Sequence, residues 1–509
     1  MSDCSHGFSR AIRSIGFAAL LAVVLAPAST TLGADAVTID NLTFVNKGLV
    51  GVGRLPADLR DKFGETFGSG SGMAADPKSW MRTPAGYQGT FYALPDRGYN
   101  VAGTSDYRAR LNKLSIAFKP LDDPAVAERQ NNIAVPMPDR QKTLIATLAD
   151  TILLTDAAGD SLTGLDPAEG GIRRATNGFP DLPLASNGRV SIDAESLALS
   201  PDGGFFIGDE YGPYIYRFSP TGRLLAAIRP PEAFIPKRKG MDNFSSNNPG
   251  AGASAPEPRN PETGRQNNQG FEGLSLTPDG KFLVVALQSA TRQDGGSSPE
   301  TRRYTRVLYY DIADLERPKL AREHVVPLPV FDDAQGKQRV AAQSELLALD
   351  DTHFLLLCRD AGNGYGTDGA TSRYRKIELL DTSRATNIAG STYDGTAPVA
   401  PNGRLADGIV PATLTPVIDI NDVAQLSRFG LHNGEPNDRN NLSEKWEGMA
   451  LLPALDPANP RDFFLFVMND NDFITQNGYQ VGAAYRDASG ADVDTVFLVY
   501  RIMLLEQRN

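Results

Sequence analysis

The strongest constraint on the fold is a motif that recurs along most of the chain. Each clear copy has an acidic residue at or near its start, followed by small or apolar residues and a turn, and it ends with a β-rich run and polar side chains. Four copies are clear, at 193–210, 270–288, 344–360 and 446–472. A degenerate copy at 71–98 has Ser71 in the place of the acid. This repetition indicates that the chain is built from equivalent units.

The copies carry the turn chemistry of β-hairpins. Pro201-Asp202-Gly203 and Pro278-Asp279-Gly280 separate β-rich runs, and in such turns proline presets φ while glycine accepts a positive φ. Further predicted strands follow the hairpins, at 214–218, 306–310, 374–380 and 496–502. Four strands per unit predict an all-β protein, a β-propeller of five or six four-stranded blades with long polar inter-strand loops. We count five blades, and a sixth would lie within 98–190 or use the N-terminal strand at 37–45.

The N-terminus predicts export. Arg10 and Arg13 precede an apolar run at 15–25, and small residues follow at 26–28 and again at 34–36. This is the three-part pattern of a secretory signal peptide, and the run is shorter than the ~20 residues of a membrane span. We therefore expect a signal peptide at 1–28, with cleavage as late as 36 as the alternative, and a single domain at 37–509. The mature protein is expected to be periplasmic or extracellular, without a membrane span.

Charge and composition exclude several functions. The sequence has 61 acidic and 50 basic side chains and a net charge of −11, whereas a nucleic-acid binder needs a basic face. It has two cysteines, and only Cys358 would remain after cleavage, so a disulfide framework or a Cys-rich zinc site is excluded. The sequence contains no P-loop, Rossmann glycine pattern or Gly-x-Ser-x-Gly elbow. For a serine-esterase mechanism, His432 is the sole plausible general base.

Acidic side chains recur at matching points of the repeats. Equivalent positions in a propeller are related by rotation about its axis, so four glutamates are expected to form a ring: Glu195, Glu272, Glu345 and Glu447. Polar groups at strand ends would complete the cluster, namely Asp96, Asp209, Glu210, Asp360, Asn469 and Asp470. Carboxylate and amide oxygens suit a hard divalent cation, and Ca²⁺ is the ion we expect. The predicted metal ligands are Glu195, Glu272, Glu345, Glu447, Asp96, Asp360, Asn469 and Asp470.

A cation in this ring would permit ester hydrolysis. It would polarise a phosphoryl oxygen or lower the pKa of a bound water. The catalytic candidates are Glu272, Glu195, Asp209 and Glu210. Four basic residues within or beside the repeats are candidates for holding a small anionic ester substrate, and they are Arg97, Arg217, Arg359 and Lys445.

Several short motifs resemble those of one family. They are Gly-Ser-Gly-Met at 70–73, Asp-Arg-Gly at 96–98, Asp-Glu-Tyr-Gly-Pro at 209–213, Gly-Phe-Glu-Gly at 270–273, Trp-Glu-Gly-Met at 446–449 and Asn-Asp-Asn-Asp-Phe at 469–473. With them, the chain resembles the phytase-like domain family, also called "esterase-like activity of phytase", over roughly 45–503. That family is distantly similar to β-propeller phytases, in which clustered carboxylates hold calcium ions that bind phosphate. The resemblance implies an exported hydrolase of phosphate or related esters.

Three alternatives stay open at this point. The repeated glutamates would also suit a structural role, in which each accepts backbone N–H bonds from the neighbouring blade. A second alternative is a non-catalytic propeller whose axial face binds a small ligand or a protein partner of unknown identity. A lactonase-like calcium propeller would use the same acids on another substrate.

Overall fold

The computed structural model describes residues 36–68, 70–121 and 137–506. The predicted signal peptide at 1–28 lies outside these residues and stays a prediction. The described chain is built almost wholly from strands, which form five blades around a common axis. The all-β propeller is therefore confirmed.

The strands follow one another in blade order. The chain opens with β1 (Ala36–Ile39) and β2 (Leu42–Leu55). Blade 1 is β3 (Gly72–Thr83), β4 (Gly86–Leu94), β5 (Arg110–Phe118) and β6 (Leu144–Leu153). After the short strands β7 (Ile172–Arg173) and β8 (Leu182–Pro183), blade 2 is β9 (Ala194–Leu199), β10 (Phe205–Asp209), β11 (Ile215–Phe218) and β12 (Leu224–Ile228).

The second half repeats this arrangement. The hairpin β13 (Lys237–Arg238) and β14 (Met241–Asp242) precedes blade 3, which is β15 (Phe271–Leu276), β16 (Phe282–Leu287), β17 (Tyr304–Asp311) and β18 (Lys319–Pro327). Next come β19 (Val330–Asp332), β20 (Gln338–Val340) and blade 4, which is β21 (Ala342–Ala348), β22 (His353–Arg359), β23 (Arg375–Asp381) and β24 (Thr413–Asp419). The last strands are β25 (Lys445–Pro453), β26 (Asp462–Asp470), the hairpin β27 (Gly478–Gln480) and β28 (Ala483–Tyr485), and β29 (Thr495–Glu506).

Helical structure is confined to short segments between strands. The α-helices of the described chain are α1 (Met137–Arg140) and α2 (Val423–Ser427). Single turns of 3₁₀-helix lie at Glu232–Phe234, Thr392–Asp394 and Pro401–Gly403, and a π-type turn lies at Arg292–Gly296. Among the described residues, no helix is both long and apolar enough to cross a membrane.

The first strand of each blade faces the axis. Strands β3, β9, β15, β21 and β25 are the inner edges of blades 1 to 5, and each packs against the next, with β25 returning to β3. This closes the ring without a sixth blade in the described chain. The segment 98–190 supplies β5 and β6 of blade 1 and the small β7–β8 pair instead.

Blade 5 combines both ends of the described chain. Its order from the axis outward is β25, β26, β29, β2 and β1. Strand β2 runs antiparallel to β29 from the Leu42–Glu506 pair to the Leu55–Thr495 pair. The predicted N-terminal strand therefore completes the fifth blade and does not begin a sixth.

Apolar side chains fill the spaces between neighbouring blades. Between blades 4 and 5, for example, Leu355 and Leu357 of β22 belong to the same core cluster as Leu465 and Val467 of β26. Cys358 is fully buried on β22 and is not in a disulfide bond. The blades are thus joined by side-chain packing, which fixes the ends of the inner strands relative to one another.

Candidate metal centre on the propeller axis

β-bulges set three of the four predicted glutamates apart from the strand ladder. The pairing registers of β9, β15 and β25 each skip one residue, and the skipped residues are Glu195, Glu272 and Glu447. A bulge leaves its extra residue unpaired and re-aims the side chain. These bulges occur at matching points of three inner strands, and the three carboxylates lie close enough for their charges to interact.

The fourth glutamate is one residue out of register. In β21 the skipped residue is Ser344, and Glu345 is paired opposite Leu357. The prediction that all four glutamates hold equivalent positions is therefore correct for three of them and wrong for Glu345. Ser344 donates a 2.8 Å hydrogen bond to the carbonyl of Trp446.

Glu345 has the role that the structural alternative described. Its carboxylate accepts the backbone N–H of Leu346 at 2.8 Å and that of Leu274, in blade 3, at 3.3 Å. A backbone N–H of Met449, in blade 5, also lowers its pKa, although burial raises that pKa well above the ordinary value overall. Glu345 therefore holds blades 3, 4 and 5 in register.

Two groups of three carboxylates share Asp96. One oxygen each of Asp96, Asp193 and Glu195 lie within 4.8 Å of one another, and the same is true of Asp96, Asp470 and Asp472. The sequence prediction included Asp96, Glu195 and Asp470 but left out Asp193 and Asp472. Asp193 opens the repeat copy at 193–210 and Asp472 belongs to the Asn-Asp-Asn-Asp-Phe motif at 469–473, so the signal was present in the sequence.

The cluster raises the pKa of its carboxyl groups. Burial is the main cause for Asp96, Glu195 and Glu272, and the charges of neighbouring carboxylates add to it. The same two causes raise the pKa of Asp470 and Glu447, where burial again comes first. A positive charge placed among these groups would keep them ionised, as expected for a cation site.

Several buried carboxylate oxygens in the cluster have no hydrogen-bond partner among the described residues. They are Oε2 of Glu210, Oε2 of Glu272, Oε2 of Glu447 and Oδ1 of Asp193. Glu195 is 7% exposed, and no described residue donates a hydrogen bond to its carboxylate. Buried polar atoms are normally satisfied, so these oxygens point to a ligand.

Three of the four predicted basic residues lie at this cluster. Arg97 donates a 2.7 Å hydrogen bond to Oδ2 of Asp193, and Arg359 forms an ion pair with Glu447. Lys445 Nζ lies 2.6 Å from Oδ1 of Asp472. Buried Nε–H groups of Arg97 and Arg359 have no acceptor among the described residues.

Arg217 lies elsewhere. It is paired with Phe206 in β10, at the end of the β9–β10 hairpin that is opposite Asp209. Its guanidinium makes 2.6 Å ion pairs with Asp202 and with Glu316. The structure therefore does not bring Arg217 to the carboxylate cluster.

Other predicted site residues support the loops around the cluster. The Asp209 carboxylate accepts the backbone N–H groups of Asp193, Tyr211 and Gly212 at 2.7–3.1 Å, and burial raises its pKa to about 7. Glu210 accepts the N–H of Gly270 at 3.2 Å through Oε1, and burial likewise raises its pKa to about 7. Glu210 keeps one oxygen for the cluster, whereas both oxygens of Asp209 are engaged.

Two further predicted site residues, in blades 4 and 5, also hold loops in place by hydrogen bonds. Asp360 accepts the hydroxyl of Ser372 at 2.6 Å and the N–H of Arg373 at 2.8 Å. The Asn469 amide donates to Ser443 Oγ at 2.8 Å and to the carbonyl of Asp494 at 3.1 Å. Both residues anchor the loops that follow β22 and β26, which lead into the cluster.

The donor set fits a hard cation. The unsatisfied acceptors named above are carboxylate oxygens, the ligands that Ca²⁺ and Mg²⁺ prefer, and no histidine or cysteine lies in either group of three. Asp96, Asp193 and Glu195 would hold such an ion on one side. Asp470 and Asp472 face the other side of Asp96.

Comparison of the sequence with known proteins gives one family and one relative. The family model described as "Phytase-like: Esterase-like activity of phytase" matches residues 65–473. An uncharacterized secreted protein of Arthroderma benhamiae is 37% identical over 472 residues, which is 86% of this chain and 88% of that protein.

Several solved structures match most of this chain at low sequence identity. A luciferin-regenerating enzyme is 11% identical with a TM-score of 0.25, and the match covers 89% of this chain and 95% of that one. An auxiliary nutrient binding protein from Bacteroides thetaiotaomicron is 8% identical with a TM-score of 0.28, over 91% and 78% of the two chains. The WD40 domain of Toxoplasma gondii coronin is 11% identical with a TM-score of 0.23, over 93% and 89%.

Proposed function

The chain belongs to the phytase-like family, and we propose that it is an exported hydrolase of phosphate or related esters that uses a divalent cation, Ca²⁺, at the axial carboxylate cluster. Export is supported by the sequence pattern at 1–28 and by the secreted relative. The ester class is supported by the family description, which names an esterase-like activity.

One observation is the main support for a bound cation. Glu195 is 7% exposed, accepts no hydrogen bond from the described residues, and has an oxygen within 4.8 Å of oxygens of Asp96 and Asp193. Burial of an unpaired carboxylate beside two others costs several kcal/mol unless a positive charge accompanies it. A Ca²⁺ ion held by Asp96, Asp193 and Glu195 would supply that charge, and it would also polarise a phosphoryl oxygen or lower the pKa of a bound water.

The surrounding residues are assigned separate roles in proton transfer and substrate binding. Glu272 is the general base, because its Oε2 is buried without a hydrogen-bond partner among the described residues and is available to accept a proton from a water molecule. Arg97 and Arg359 hold the anionic part of the ester through their unengaged Nε–H groups. Glu210 contributes a second carboxylate, and Asp209 positions the loop that carries it.

A hydrolysis assay tests this proposal. The purified exported protein is given para-nitrophenyl phosphate, phytate and para-nitrophenyl acetate, each with Ca²⁺ and with a chelator. We expect phosphate-ester turnover that the chelator abolishes and Ca²⁺ restores, and a loss of about 100-fold or more in Glu272→Gln. The matched control is Glu378→Gln, because Glu378 is also a buried glutamate but lies on β23 and bonds to Tyr374.

Two results would contradict the proposal in different ways. Turnover that survives chelation would contradict the metal-dependent mechanism. Calcium binding without turnover of any of the three esters would contradict catalysis and favour the non-catalytic binding propeller.

A further inference from the structure

The two groups of three carboxylates that share Asp96 differ in the positive charges and hydrogen-bond donors that the protein places beside them. In the group with Asp470 and Asp472, Lys445 Nζ lies 2.6 Å from Oδ1 of Asp472 and 3.5 Å from Oδ2 of Asp470. The ammonium group of Lys445 therefore contacts both carboxylates of this side.

Hydrogen bonds also satisfy the carboxylate of Asp470 in this group. Ser71 donates to Oδ2 of Asp470 at 3.2 Å, and the backbone N–H of Asp472 donates to Oδ1 of Asp470 at 2.6 Å. Both oxygens of Asp470 are thus engaged by groups of the chain itself. This side needs no added ion.

The other side is less well neutralised. Arg97 contacts Oδ2 of Asp193, but Oδ1 of Asp193 is buried without a hydrogen-bond partner among the described residues. No described residue donates a hydrogen bond to Glu195, which is also deeply buried. Arg97 thus pairs with Asp193, whereas Glu195 has neither a hydrogen-bond donor nor an ion-pair partner among the described residues.

We propose that the axial site binds one divalent cation at Asp96, Asp193 and Glu195, and that the ammonium group of Lys445 takes the place of a second ion beside Asp470 and Asp472. The inference rests on the proposed function only for the location of the site. It makes Lys445 a fixed charge of the centre and not a substrate-binding residue. It also predicts that removal of this ammonium group opens a second cation site on the Asp470 side.

Calcium stoichiometry tests the inference without an activity measurement. The calcium-free full-length exported protein and its variants are titrated with CaCl₂ by isothermal calorimetry. We expect one tight site in the wild type, a loss of at least tenfold in its affinity in Glu195→Gln, and one additional site in Lys445→Met. The matched controls are Glu378→Gln and Lys62→Met, and Lys62 pairs with Asp150 on the surface.

Other results of the calcium titration would each contradict one part of the inference. Two tight sites in the wild type, or none, would overturn the single-ion arrangement, and an unchanged stoichiometry in Lys445→Met would overturn the role of Lys445. If Lys445→Met does not fold, Lys445→Gln is titrated in its place, and Ca²⁺ is expected to raise the Tm of that variant more than the Tm of the wild type. Binding as expected with no ester turnover would reject the proposed function and leave this inference intact.

Discussion

The guanidinium of Arg97 donates a 2.7 Å hydrogen bond to the carboxylate of Asp193, which joins the loop after β4 in blade 1 to the start of β9 in blade 2. The Asp193 side chain is fully buried, and that of Arg97 is 10% exposed. Arg97 also lies against the ring of Tyr211. One ion pair therefore links two blades at the edge of the carboxylate cluster.

Substitution of Arg97 should reveal an unpaired buried charge. We expect Arg97→Met to lower the free energy of unfolding by about 3 kcal/mol in the presence of a chelator, because Asp193 is left without its cation. Urea unfolding measures the loss. The double variant Arg97→Met with Asp193→Asn should lose less, and a loss equal to or greater than that of the single variant would contradict the argument.

Gly270 is required by close packing against the loop of blade 2. A Cβ at this position would lie 2.3 Å from Cα of Glu210 and 2.5 Å from its carbonyl oxygen, and backbone atoms cannot move aside cheaply. We expect Gly270→Ala to lower the free energy of unfolding by about 1–3 kcal/mol, the usual cost of overpacking. It should also remove the N–H contact with Glu210 and weaken Ca²⁺ binding. The matched control is Gly395→Ala, where the nearest atom is a carbonyl oxygen at 3.5 Å, and an equal loss in both variants would contradict the prediction.

His353 should stabilise the protein more in mildly acidic than in alkaline solution. Burial opposes the protonated form, but Asp350, 2.8 Å from Nδ1, outweighs it and raises the pKa of His353 above 6.5. The stabilisation is therefore complete below pH 6.5 and is lost as the pH rises through the folded-state pKa. Burial opposes the ionised form of Asp350, but the contact with His353 and the backbone N–H bonds lower the pKa of Asp350 to about 2. The stabilisation that comes from ionised Asp350 is therefore fully present above pH 3.8, its ordinary pKa.

Urea unfolding at pH 5.5 and pH 8.5 measures this effect. The difference in unfolding free energy between the wild type and His353→Gln should be larger at pH 5.5. His324 provides a control of opposite sign, because burial lowers its pKa, so the same difference for His324→Gln should be smaller at pH 5.5. Equal differences at the two pH values would reject the role of the His353–Asp350 pair.

Anion binding should distinguish Arg359 from Arg217. Arg359 lies beside Glu447 at the cluster, whereas the ion pairs of Arg217 with Asp202 and Glu316 engage it at the other end of β10. At saturating Ca²⁺, we expect Arg359→Met to weaken the binding of inorganic phosphate at least tenfold and Arg217→Met to leave it within about twofold. Calorimetric titration with phosphate measures both, and similar losses in the two variants would contradict the assignment.

The fold could be predicted from the sequence because its signals are local. The Pro-Asp-Gly turns and the β-rich runs mark hairpins, and their repetition indicates a propeller. The number of blades could not be fixed, because the pairing of β2 with β29 joins segments from opposite ends of the chain. No local pattern at 37–45 shows that its partner is the last strand.

The site was predicted in part for a similar reason. Glu195, Glu272 and Glu447 were recognised because an identical residue recurs in a repeated motif. Ser344 and Glu345 were misaligned, because a bulge shifts the register by one residue and leaves no mark in the composition. Arg217 is among the predicted substrate-binding residues because it follows a repeated motif closely in the sequence. The direction of its guanidinium depends instead on the alternation of side chains along β11 and on its ion pair with Glu316, which lies in a distant loop.

The shared fifth blade closes late in folding. Strand β2 lies before blades 1 to 4 in the chain and its partner β29 lies after them, so the ring cannot close until β29 has been synthesised. Until β29 arrives, β26 and β2 both present open edges, which invite pairing with other chains. Blade 5 is therefore the last blade that can be completed, and its closure is the step that joins the two ends of the described chain.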